Sequence, residues 1–324
     1  MPVRGAAPGA SAREPGGRRV KLPKKVIEEL RVEPGRAARL ADRSTRSTRA
    51  TWLDAHAHAS PKDIAEHELA AFTAELAAAQ ELLFATDAFS VLVIVQALDA
   101  AGKDGTIKHV MSGVNPQGCE VVSFKEPSAT ERSHDFLWRC AVALPERGRI
   151  GIFNRSYYEE VLVTRVHPEL LDAEHLAPGT ARGDALWKER HEDINAFERH
   201  LHRNGTRVVK LFLHVSEEEQ RKRLLARLED PAKYWKFSPS DLAERAHFGE
   251  YQRAYEETLT ATSTADAPWY VVPADHKYLL RALAGGVLAH VIGGLDLRLP
   301  EVDGDRLAEL ERARAQLEAE APDG

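Results

Sequence analysis

The chain has 324 residues, 44 Lys plus Arg against 50 Asp plus Glu, a formal charge of −6 and 43% hydrophobic side chains. Such a balance excludes a whole-chain role in coating nucleic acid or a membrane surface, and the length allows one large domain or two small ones with ample chain for a core. Cys119 and Cys140 have no CxxC spacing, no apolar run nears the roughly 18 residues of a membrane span, and no signal-peptide h-region is present, so a cytoplasmic protein without disulfide framework, zinc site, nucleic-acid partner or membrane partner is expected.

Charge is unevenly spread, with 13 basic and 5 acidic side chains over residues 1–50 and 4 basic and 9 acidic over 295–324. Residues 1–18, rich in Gly, Pro, Ala and Arg, read as a disordered basic tail. Residues 19–65 hold scattered apolar anchors (Leu22, Val26, Leu30, Trp52, Leu53) and read as an arm lying over a domain that spans 66–299. Ser60-Pro61 opens a helix in which Ile64, Leu69, Phe72, Leu76, Leu83 and Phe84 recur near helical spacing, ending before Thr86-Asp87. Residues 90–96 form a run rich in β-branched side chains that suits a strand buried on both faces of a parallel sheet, and a helix over 105–112 follows. The alternation repeats as strand 120–124 with helix 130–143, strand 149–153 with helix 156–164, strand 207–215 with helix 216–229, and strand 269–272 before the apolar helix 277–293. This order predicts an α/β domain with a mostly parallel sheet and right-handed crossovers. Residues 230–250 break the alternation with Pro, aromatic and charged residues, as a mobile lid would, and 300–324 read as an acidic tail, either an exposed helix or a frayed end.

The strongest chemical signal is Gln96-Ala-Leu-Asp99-Ala-Ala-Gly102-Lys103-Asp104-Gly105-Thr106, set between a buried strand and a helix. Backbone N–H groups and a helix N-terminus converge on an anion at such a junction, so Ala100, Ala101, Gly102, Asp104, Gly105 and Thr106 are predicted to cradle phosphate beside Lys103. The loop departs from a standard Walker sequence, because Ala97 replaces the first Gly and Asp104 replaces the Ser/Thr that would reach magnesium. Metal binding must then come from elsewhere, and Asp99 is the natural carboxylate for Mg²⁺. Asn154, Arg155 and Glu159 follow strand 149–153 and are expected beside the loop, since ligands of open α/β sheets gather outside the carboxyl ends of the strands. Arg155 can bridge two phosphoryl oxygens with its fork. Gln220-Arg221-Lys222-Arg223, with Lys233 and Lys236, adds a cationic lid suited to charge spread over a transferring phosphoryl group. The histidines show no metal spacing and no general base is evident. An acceptor that is already an anionic phosphate needs positioning and charge screening rather than deprotonation.

The blocks Leu98-Asp-Ala-Ala-Gly-Lys-Asp-Gly105, Ser123-Phe-Lys-Glu-Pro127, His134-Asp-Phe-Leu-Trp-Arg139, Phe153-Asn-Arg-Ser156, Trp235-Lys-Phe-Ser-Pro239 and Ala267-Pro-Trp-Tyr-Val271 resemble, in order, those of the polyphosphate kinase 2 family, P-loop phosphotransferases that move phosphoryl groups between inorganic polyphosphate and nucleotides. Where much of that family has Asp-Arg-Ser-Trp-Tyr-Asn, this chain reads Asn154-Arg-Ser-Tyr-Tyr-Glu159, which is similar to the class III subgroup that phosphorylates AMP as well as ADP. The resemblance implies a P-loop kinase-like three-layer fold with helices on both faces of the sheet, and Mg²⁺-dependent transfer from polyphosphate to AMP and ADP, giving ADP and ATP. It also implies a homo-oligomer, with helix 277–293 or the arm as contact surface. It makes Asp99 and Lys103 catalytic, Arg155 a phosphate contact and Arg223 a lid arginine, and it places Asn154 and Glu159 at the acceptor. Two other readings stay open: an ATP-dependent nucleoside monophosphate kinase, and a non-catalytic regulator that binds polyphosphate or nucleotide.

Overall fold

The computed structural model describes residues 21–49 and 59–320, so the tail expected at 1–18 and the anchors Trp52 and Leu53 lie outside the described residues. In the arm, α1 (Lys24–Leu30) buries Val26, Ile27 and Leu30, and Leu22, Val32, Ala38 and Leu40 join them in the main hydrophobic core. The arm therefore contributes to the core, where its irregular apolar spacing suggested only a cover. Its side chains arrive from a short helix, an antiparallel bridge between Arg31 and Tyr270 and a 3-10 turn at Leu40–Asp42, and no single periodicity describes the three. Helix α2 (Pro61–Thr86) starts where its signals predict, with the Ser60 hydroxyl accepting from the Asp63 N–H at 3.2 Å. It runs unbroken across the boundary drawn at 65/66.

Strand β1 (Ser90–Ala97) is buried at every position and leads through a loop into α3 (Lys103–Val110). With β2 (Cys119–Ser123), β3 (Ile150–Asn154), β4 (Thr206–His214) and β5 (Trp269–Pro273) it forms a parallel sheet in the order β2-β3-β1-β4-β5. Val91 is in register with both Ile150 and Arg207, so β1 is the central strand. The strand order reverses about β1, which opens a crevice at its carboxyl end.

The helix expected at 130–143 is instead two single turns, α4 (Ala129–Arg132) and α5 (Trp138–Ala141). Side chains compete for the backbone between them: Ser133 Oγ donates to Ala129 O at 3.0 Å, and Asp135 Oδ1 accepts from the Leu137 N–H at 2.9 Å. Helix α6 (Glu159–Val166) begins three residues later than expected because Ser156 Oγ first accepts from the Tyr158 N–H in a turn. The apolar pattern assigns no element to α7 (Asp184–Arg203), whose buried face mixes Leu186, Trp187 and Ile194 with Arg190, His191 and Glu198 and so hides its period. Helix α8 (Glu217–Leu228) matches expectation, and the segment expected to act as a lid forms a 3-10 turn (Pro231–Lys236) and α9 (Pro239–Ala246), with no residue buried in either. Helix α10 (Phe248–Thr262) follows, and the acidic end forms α12 (Gly304–Ala319), exposed along its whole length.

Helices α2 and α3 both pack on α11 (Lys277–Ile292), and α6, α7 and α10 pack with one another, giving the two helical layers of the three-layer α/β fold. The surface proposed on helix 277–293 for a second copy is taken up inside the chain. A Cβ on Gly286 would lie 2.4 Å from Leu22 Cγ and 3.0 Å from Phe72 Cε2, so α11 carries a glycine where the arm and α2 press against it.

Candidate active site at the phosphate loop

The loop after β1 turns sharply enough to place Ala100 at φ 59° and Gly102 at φ 111°. The second conformation suits glycine, whereas Ala100 is held in a region that costs a residue with a Cβ about 1–3 kcal/mol. At the start of α3, the N–H groups of Gly102, Lys103, Asp104 and Gly105 donate to no other described residue, an arrangement that suits an anion. Lys103 folds over the loop, its Nζ donating to Ala97 O at 2.6 Å and lying 3.4 Å from Leu98 O. Burial pulls its ammonium below the ordinary lysine range, and the carboxylate of Asp99 works against that pull. Thr106 Oγ1 donates to Gly102 O at 3.0 Å, so this buried hydroxyl closes the loop from within.

Arg155 sits at φ 65° on the turn after β3, and its Nη2 is 3.3 Å from Asp99 Oδ1. Burial lowers its pKa, but Glu159 and Asp99 outweigh burial and leave the guanidinium above its ordinary value. The turn is braced from beneath. Tyr157 and Tyr158 both donate to Glu198 Oε1, at 2.9 and 2.8 Å, while Lys210 Nζ reaches Glu198 Oε2 at 2.6 Å and Tyr158 Oη at 2.9 Å. A fully buried ion pair satisfied in this way over-determines the turn and holds Arg155 in its strained conformation. Asn154 Nδ2 donates to Asp104 Oδ1 at 2.8 Å.

Arg223 differs from its expected place in the lid. It is a buried residue of α8, and its five donors are all occupied: Nε on Glu219 at 2.8 Å, Nη1 on Ala100 O and Ala101 O at 3.1 and 2.7 Å, Nη2 on Ala274 O and Asp275 O at 2.6 and 3.0 Å. It bolts the loop to the end of β5. Gln220, one turn earlier, donates to Asp99 O at 3.2 Å, so α8 grips three successive loop carbonyls.

Two clefts meet at Phe124, Lys125 and Arg155. The first, of about 630 Å³, contains the loop, Asn154, Lys233, Lys236, Lys277 and Arg281, with nine Lys or Arg against three Asp around it. Burial lowers the pKa of Lys277, and the like charges of Arg223 and Arg281 lower it further; such crowding of cations is relieved by an anion. The second, of about 710 Å³, is lined by Glu159, Val163, Leu170, Leu176 and Leu186, and has Glu160 at its side between Arg139 and Arg190. Asn154 and Glu159 thus part company, Asn154 facing the cationic cleft and Glu159 the other.

Among the described residues no three His, Cys, Asp or Glu side chains gather to hold a metal unaided. Asp99 Oδ2 accepts no hydrogen bond from a described residue. One carboxylate oxygen beside a phosphate cradle fits a hard divalent ion, which commonly takes one or two carboxylates and completes its shell from phosphate and water.

The family model described as Polyphosphate kinase 2 matches residues 59–297, which contain every residue named above at the two clefts. The chain belongs to the polyphosphate kinase 2 family. It is 54% identical over 252 residues to the ADP-polyphosphate phosphotransferase of Rhodopseudomonas palustris, covering 78% of this chain and 87% of that one. It is 42% identical over 248 residues to the AMP/ADP-polyphosphate phosphotransferase of Meiothermus ruber, covering 76% and 88%. The crystal structure of polyphosphate kinase 2 from Arthrobacter aurescens superposes with a TM-score of 0.77 at 39% identity, covering 88% of this chain and 95% of that one. The fold and the enzyme class expected from the motifs hold. The cationic cleft also gathers Lys125, Lys277 and Arg281, which the motifs did not single out. Lys277 and Arg281 are separated by one helical turn at the start of α11, directly after the last parallel strand, and that spacing was the available signal.

Proposed function

We propose that the chain transfers a phosphoryl group from inorganic polyphosphate to AMP and then ADP, with Mg²⁺ bound through Asp99 and the phosphates. The observation that carries this reading is the pair of clefts joined at Arg155. One is strongly cationic and backed by a helix N-terminus, as a long polyanion requires; the other mixes apolar side chains with Glu159, as a nucleoside requires. The loop amides and Lys103 hold the donor phosphates, and Arg155 reaches toward both clefts and can screen charge on the group in flight. Mg²⁺ supplies neutralisation of phosphate charge when bound. The exposed lid carries Lys233 and Lys236 over the cationic cleft, where closure would exclude water that otherwise hydrolyses the donor.

Both nucleotides fit because the acceptor is already ionised and the site needs only to align it. The experiment is a product analysis after mixing protein, Mg²⁺ and AMP with either polyphosphate or ATP. Successive appearance of ADP and ATP with polyphosphate supports the reading. Turnover of AMP with ATP alone would support the nucleoside monophosphate kinase instead, and binding without turnover would support a regulator.

A further inference from the structure

The strained phosphate loop does not hold its shape alone, and the clamp that holds it is anchored in the N-terminal arm. Arg223 grips Ala100 O and Ala101 O with one nitrogen, while its other terminal nitrogen rests on Ala274 O and Asp275 O. The Asp275 carboxylate is 2% exposed, and its hydrogen bonds are divided between two elements. Its Oδ1 accepts from the N–H of Ser216, the residue that caps α8 and so fixes the helix carrying Arg223 and Gln220. Its Oδ2 accepts from Thr45 Oγ1 at 2.8 Å and lies 3.4 Å from Arg46 Nε, and the Asp275 N–H returns a bond to Thr45 O at 2.9 Å. Both the seat of Arg223 and the base of its helix therefore hang on a carboxylate that the arm holds in place. Residues 45 and 46 also precede the segment 59–297 that the family model matches.

We propose that Thr45 and Asp275 are positioning residues for phosphoryl transfer, acting through Arg223 to keep Ala100–Ala101 in the conformation that binds phosphate. The arm is by this account part of the catalytic apparatus without touching substrate. Ala100 at φ 59° is the reason a remote contact matters: a strained loop persists only while its surroundings hold it, so slack in the anchor is spent at the loop.

The test compares Thr45→Val, which keeps the shape and removes the hydroxyl, with Thr45→Ser, which keeps the hydroxyl. Two quantities are read: hydrogen exchange of the peptide spanning 98–106, with α7 peptides as an internal control, and kcat against KM for AMP with polyphosphate as donor. Thr45→Val is expected to speed exchange of the loop peptide and lower kcat by about three- to ten-fold at unchanged KM for AMP, as remote coupling of this kind allows. Thr45→Ser should stay within about two-fold of wild type in both, and α7 should not change in either variant. Unchanged loop exchange in Thr45→Val, an equal rise across α7, or identical behaviour of the two variants would overturn the proposal. Only the rate rests on the proposed transfer. A wild-type protein inert toward polyphosphate would count against that function, while the exchange comparison would still decide the positioning role.

Discussion

Replacing Arg223 with Lys keeps the charge and discards geometry, and so separates a bolt from a lid arginine. Arg223 meets five acceptors with five N–H groups, whereas a lysine ammonium has three donors on one atom. At least two acceptors must lose their partner, and four of the five are main-chain carbonyls packed between the loop and the end of β5. An unsatisfied buried acceptor costs about 1–3 kcal/mol, so the expected loss is on the order of 2–6 kcal/mol out of a total that is typically about 5–15. The measurement is urea unfolding followed by fluorescence and circular dichroism, alongside steady-state rates with varied polyphosphate. Arg223→Lys should lower the unfolding midpoint and also lower kcat, because the loop loses its clamp. Stability within about 0.5 kcal/mol of wild type, together with a raised KM for polyphosphate alone, would refute the bolt and return Arg223 to substrate.

Asp99→Asn should leave the fold intact and reduce turnover by roughly 10²–10³, the usual scale for one group stabilising transition-state charge; near-wild-type turnover across a magnesium titration would show that Asp99 is not the metal carboxylate. Glu159→Asn removes an anion from the acceptor cleft, and since one well-screened charge pair is worth about 1 kcal/mol, the ratio of initial rates should move about five-fold toward ADP over AMP; an unchanged ratio would remove Glu159 from acceptor selection. His191 on α7 is buried against Thr258 at 3.1 Å, and burial chiefly, with Arg165 second, lowers its pKa from 6.5 to about 4. Its folded value lies below the unfolded one, so its contribution is complete above about pH 6.5 and is lost as pH falls toward 4. His191→Gln should therefore flatten the acid limb of the stability profile by up to roughly 3 kcal/mol, measured by denaturant unfolding at pH 7 and pH 4.5, and an unchanged slope would place the acid sensitivity elsewhere.

The loop between β1 and α3 and the alternation around it were readable from the amino-acid order because each depends on neighbours in the chain. An apolar run makes β1, a glycine allows the φ of 111° at the start of α3, and Lys103 folds back over carbonyls five and six residues away. The same locality made α2 readable from Ser60-Pro61. What depends on residues far apart was decided by the tertiary structure. The resemblance made Arg223 a lid arginine; its contacts are those of a clamp because packing brings Ala100, Ala101, Ala274 and Asp275 around its plane. Helix α7 was invisible because charged residues on its buried face find partners only across the fold, as Glu198 does in Lys210. The apolar helix α11 suggested a surface for a second copy, and packing against α2 and the arm buried its apolar residues. Periodicity reports which side chains can be buried together along one element. Which charges meet, and which carbonyls share one guanidinium, is set by the closing of the chain on itself.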